Sequence, residues 1–62
     1  MIEKKLSTAE MEQVYDQIAE AIDRAGAEKT PLFLAKLSLA LANLLGDRVL
    51  VSQAIEAALR DL

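Results

Sequence analysis

Few side chains in this chain can do chemistry, and their spacing limits what they can do. Glu12, Asp16, Glu20 and Asp23 fall in one segment, and the first three step by four residues, which crowds them on one helix face. Carboxylates placed this way build di-metal centres when other helices add Glu-x-x-His pairs. The chain contains no histidine and no cysteine. Zinc, haem and iron–sulfur ligation by the usual groups is therefore excluded, and the series reads as a solvated acidic face. Arg24, four residues after Glu20, relieves part of its repulsion. Ser7, Ser38 and Ser52 supply hydroxyls but have no histidine base to activate them. The residues predict no catalytic site, no metal site and no cofactor, and hence a protein that is not an enzyme.

Two neutral polar groups are candidate polar anchors for a ligand. Tyr15 is the single tyrosine, and its place at the edge of an apolar stripe suits a packed ring with a wet hydroxyl. Asn43 interrupts the most apolar segment, where it could contact a ligand or fix helix register across an interface. A helical wheel puts Asn43 beside Lys36 on one shared edge, which reads as solvent-facing. A helix-turn-helix reading would make the last helix the recognition helix, but it offers only Arg48, Ser52, Gln53 and Arg60. The formal net charge of -3 opposes both the nucleic-acid backbone and anionic lipid. Neither nucleic acid nor membrane is an expected partner.

The elements that must position these residues are helices. Ser7 followed by Glu10 fits a capping box, with Leu6 and Met11 as its hydrophobic staple. Met11, Val14, Ile18, Ala21, Ile22 and Ala25 then recur at helical spacing, and Gly26 stands where a left-handed residue ends a helix. Thr30-Pro31 reads as a hydroxyl cap followed by proline at the first helical position. The second helix runs to Leu45 and stops at Gly46. Asp47 caps a third, with Val51, Ile55, Ala58, Leu59 and Leu62 as its stripe and a favourable Glu56–Arg60 pair outside. The expected fold is all-α, a small three-helix bundle with helices at about 7–25, 31–45 and 48–61. Residues 1–6 read as a flexible leader and 7–62 as one domain.

The second helix is the unusual one. Its sequence from Pro31, PLFLAKLSLALANLL, is apolar on nearly every side. Phe33, Leu37, Leu41 and Leu44 form one ridge, widened by Leu34 and Leu45. Ala35, Ser38 and Ala42 make a strip of small residues that admits close helix approach, with Leu32 and Leu39 beyond it. Two neighbouring helices cover two sides of such a helix, and its apolar surface occupies nearly three. A chain of 62 residues has only a marginal core of its own, and one without cysteine or metal ligands has oligomerisation as its remaining staple. A bare patch of several hundred Å² is unusual on a monomer. The pattern predicts a homo-oligomer, most simply a two-fold dimer in which this helix meets its copy. The expected interface is Phe33, Leu34, Leu37, Ser38, Leu41, Ala42, Leu44 and Leu45.

The other classes fit less well. The chain is 53% hydrophobic, too apolar for intrinsic disorder. The segment from Pro31 to Leu45 is short for a bilayer of roughly 30 Å hydrocarbon and is interrupted by Lys36. The start, MIEKKLSTAE, has no apolar run of a secretory signal, and absence of cysteine suits the cytosol, so a cytoplasmic location is expected.

The stretch LSLALANLLGDRVLVSQAIEA, Leu37 to Ala57, resembles a family of short bacterial proteins of unknown function. In that family a leucine-rich helix ends in Leu-Ala-Asn, two further residues and Gly-Asp, here Leu41, Ala42, Asn43, Leu44, Leu45, Gly46 and Asp47. An early tyrosine in the first helix is matched by Tyr15. Members carry His-Arg-Gly after the first helix and His-Ile before Gly-Asp, whereas this chain has Asp23-Arg24-Ala25 and Leu44-Leu45, so no histidine role passes to it. Such proteins are encoded beside flavin-dependent aromatic hydroxylases and other catabolic enzymes. The resemblance implies an accessory or regulatory subunit with a larger enzyme as partner. The leading expectation is a non-enzymatic helical interaction protein, and the alternative is a small-molecule-binding bundle whose apolar cavity is lined by the second helix.

Overall fold

The computed structural model describes residues 5–60 and 62. Three helices follow one another with no strand among the described residues: α1, Thr8–Ala25; α2, Thr30–Leu45; and α3, Arg48–Arg60. The all-α, three-helix expectation is borne out. The leader expected at residues 1–6 rests mainly on residues 1–4, and the end of the third helix at 61 on Asp61, which lie outside the described residues.

The helix ends show why the segments stop where they do. At α1 the capping box is complete: the Glu10 N–H donates to Ser7 Oγ at 3.1 Å, and the Ser7 N–H donates to Glu10 Oε1 at 3.0 Å. Two otherwise unpaired N–H groups are satisfied reciprocally. At its other end the Gly26 N–H donates to the Ile22 carbonyl at 3.0 Å. Gly26 has φ 85° and ψ 156°, a positive-φ extended conformation rather than the left-handed helical one expected, and essentially only glycine adopts it. Gly46 does take the left-handed conformation, φ 70° and ψ 20°, and closes α2 with a 2.9 Å bond from its N–H to the Ala42 carbonyl. Asp47 then caps α3, its Oδ1 accepting from the Val49 N–H at 2.9 Å and the Leu50 N–H at 3.1 Å.

One cap differs from expectation. Thr30 belongs to α2 itself, so the helix begins one residue before Pro31, and Lys29 precedes it without a side-chain cap. The Thr30 hydroxyl points backwards and donates to the Gly26 carbonyl at 2.9 Å. The same carbonyl accepts the Lys29 N–H at 3.1 Å, closing a four-residue turn. The turn brings Thr30 within reach of that carbonyl, and the hydroxyl satisfies it instead of a helix N–H.

Helix α2 lies between its neighbours in space as well as in sequence. It packs against α1 on one side and α3 on another, while α1 and α3 do not pack on each other. The bundle is thus open along one side. No described side chain is fully buried. The accessible surface is 5710 Å², whereas a compact monomer of this mass exposes about 4,000 Å² and its extended chain about 9,900 Å². Folding as a single chain hides roughly four-tenths of the extended surface, where about 60% is usual at this length.

Candidate interaction surface

The open side of the bundle follows from the wheel of α2. Thr30, Phe33 and Leu37 share one flank and are half-buried, as are Val14, Ile18, Ala21, Ile22 and Ala25 along α1. Ala42, on the opposite flank, is half-buried as well. Of the eight expected interface residues, then, Phe33, Leu37 and Ala42 are partly occupied within the chain, and Leu34, Ser38, Leu41, Leu44 and Leu45 are exposed. The Phe33–Leu37–Leu41–Leu44 ridge is covered at its start and bare at its end: Leu41 is 52% exposed and Leu44 81%. Leu32 and Leu39 are also exposed, on the far side of the helix.

An apolar groove of about 290 Å³ runs between α2 and α3. Its bulky lining is Leu41 and Leu45 from α2 and Val51 and Ile55 from α3. Its small lining is Ser38 and Ala42 from α2 and Ala54 and Ala58 from α3. Each of these four pairs is spaced i, i+4, so each forms a short ridge row along its helix. None of the eight side chains is charged. The Ser38 hydroxyl donates to the Leu34 carbonyl at 2.7 Å, so no unpaired donor is left facing the groove. Sequence reading placed the α2 half of this groove but not the α3 half. The signal available for α3 was the alternation of small and bulky rows, Ala54–Ala58 beside Val51–Ile55.

The polar candidates sit elsewhere. Asn43 is exposed in the single chain, as is Lys36 on the same edge of the wheel. Asn43 lines a separate open notch at the α2–α3 corner with Ala42, Gly46, Asp47, Arg48 and Val51. Tyr15 is 72% exposed on α1. Neither reaches the apolar groove. The acidic series is spread along the exposed face of α1, where Glu20, Asp23, Gln17 and Arg24 border a shallow depression. Among the described residues no group of three carboxylates comes together to hold a metal ion. Ser7 is engaged in the cap of α1 and Ser38 in its backbone bond. The Glu10 carboxyl is held below its ordinary value of 4.5, chiefly by the Ser7 backbone N–H and then by the Ser7 side chain.

No helix among the described residues is long and apolar enough to cross a membrane. No family model, no curated protein and no solved structure matches the chain.

Proposed function

We propose that this chain is a non-enzymatic helical interaction protein that completes its core by self-association through α2. The observation that carries the reading is that no described side chain is buried while a run of leucines stands bare on the central helix. The surface exceeds that of a compact monomer by about 1,700 Å², enough for a partner to cover. Burial of a leucine is worth roughly 1.5–3 kcal/mol, so the exposed residues of the expected interface, Leu34, Leu41, Leu44 and Leu45, can hold a dimer together. The resemblance of the Leu41-to-Asp47 segment to small bacterial proteins adds a role for the assembled form, as an accessory or regulatory subunit of a catabolic enzyme in the cytoplasm.

A small-molecule-binding bundle is the weaker reading. The α2–α3 groove has the apolar lining such a site needs, but ligand sites fix orientation with a few convergent polar groups. The one polar side chain here, Ser38, already spends its hydrogen on the backbone.

Sedimentation equilibrium of the purified full chain tests the proposal. A helical dimer that persists on dilution is the expected result. A well-folded monomer at high concentration would remove the proposal.

A further inference from the structure

The groove shows which side of α2 a second copy would use. Resting on the self-association reading, we infer that two copies join groove to groove. The α2–α3 pair of one chain packs on the α2–α3 pair of the other, and both α1 helices stay outside the contact.

The shape of the lining supports this pairing. On each helix the small row lies beside the bulky row, so the groove carries small side chains and large ones together. Leu41 at 52% exposure and Ile55 at 54% stand on the two sides of the groove, and Ala42 and Val51 are half-buried within it. A two-fold rotation sets the Leu41–Leu45 row of one copy on the Ala54–Ala58 row of the other, and the reverse at the same time. A surface carrying both ridge and groove is complementary to itself, which is what an isologous contact requires. The i, i+4 rows on both helices are the pattern of the commonest ridge-into-groove helix packing.

Area and charge point the same way. A standard stable interface hides about 800 Å² on each partner, less than the surplus of about 1,700 Å² that the whole chain exposes over a compact monomer. Helix α1 carries five carboxylates against one guanidinium, so pairing through α1 would set like charges together. Helices α2 and α3, with the Asp47 cap between them, carry Lys36, Arg48 and Arg60 against Asp47 and Glu56, nearly balanced, with no charge in the groove. The outer face of α2 offers Leu32 and Leu39 beside Lys36 and Asn43.

The absence of cysteine makes single thiols clean reporters. Leu45→Cys mixed with Ala58→Cys, two thiols that the two-fold rotation brings together across the groove, would be compared with Leu39→Cys on the outer face of α2 and Gln13→Cys on α1. Each full-length variant is checked for wild-type helicity and treated with a short bismaleimide under conditions in which the wild type is dimeric. Docked groove thiols share an effective concentration near millimolar, so the groove variants should cross-link at least about tenfold faster than the other two. Cross-linking at Leu39→Cys or Gln13→Cys instead, at equal rates everywhere, or at none of the four, overturns the groove while self-association stands. A folded monomeric wild type removes both.

Discussion

Helices α1 and α3 both rest on α2, but the contact leaves them in different states. On α1 the stripe positions Val14, Ile18, Ala21, Ile22 and Ala25 are half-buried against the chain itself, and Met11 at its start is 48% exposed. On α3 only Val51 and Ala57 are half-buried, and Ile55 and Leu59 are more than half exposed. The two helices also differ in charge. Five of the carboxylates sit on α1, where they keep its outer face wet, and α3 has one. A helix with a single oily stripe and a solvated back needs one neighbour. Helix α2 is oily on nearly three sides and has two neighbours in this chain. The difference between α1 and α3 puts the larger exposed apolar surface on the α2–α3 side.

The largest expected effect comes from putting a charge on that side. Leu41→Asp should raise the dimer dissociation constant at least about a hundredfold, since each copy loses a burial worth ~1.5–3 kcal/mol. Helicity should fall with it, because no described side chain is buried in the separate chain. Reversing a charge on α1, Glu20→Lys, should leave mass and helicity unchanged, within about 0.5 kcal/mol. Sedimentation equilibrium and far-ultraviolet circular dichroism on the same samples read both. An equal response from the two variants would erase the contrast between the regions.

The two connectors give the next effect. A methyl group at Gly26 meets no atom within 4 Å, and one at Gly46 meets the Asn43 carbonyl oxygen at an ordinary 3.9 Å. Any cost of alanine is thus one of backbone conformation. Gly26→Ala, forced into a region open essentially to glycine alone, should cost about 2–3 kcal/mol. Gly46→Ala, in the left-handed helical region, should cost about 1–2 kcal/mol. Urea unfolding at one fixed chain concentration ranks them, and a reversed order would mean that the α2–α3 turn is the stiffer of the two. Removal of the third cap by Asp47→Ala should cost about 1 kcal/mol in the same assay.

The smallest effect is a pH dependence confined to α1. The Glu10 carboxyl titrates below 4.5 in the folded chain because the Ser7 N–H, and then the Ser7 side chain, favour its charged form. Its contribution is fully present above the unfolded value and is lost as pH falls through the lower, folded value. Acid titration of the helical signal should show a small loss in that window, and Glu10→Gln should remove that part of the slope. A slope that persists in Glu10→Gln would assign it to other carboxylates.

Much of this arrangement was legible in the residues. The capping box of Ser7 and Glu10, the Gly46 stop and the Asp47 cap each depend on side chains within four residues of one another, and each stands where the sequence put it. The all-round apolarity of residues 31–45 identified the central helix. Thr30 was misread as a cap because its partner, the Gly26 carbonyl, is presented by a turn whose geometry no local pattern encodes. The division of the α2 ridge into a covered and a bare half was equally hidden. It depends on how far α1 extends along α2, a matter of packing between helices. The α3 wall of the groove was missed for the same reason. Its stripe was visible, but which part of the stripe α2 would leave uncovered was not.

Thermal unfolding followed by circular dichroism over a wide range of chain concentration is the most direct test of whether the core is completed by association. If folding and assembly are linked, the midpoint must rise with concentration by mass action. A rising midpoint, with native helicity lost on dilution, is the predicted result. A midpoint that stays fixed while helicity remains native at the lowest concentration would show that the single chain is sufficient, and would contradict the assignment of its bare leucines to a second copy.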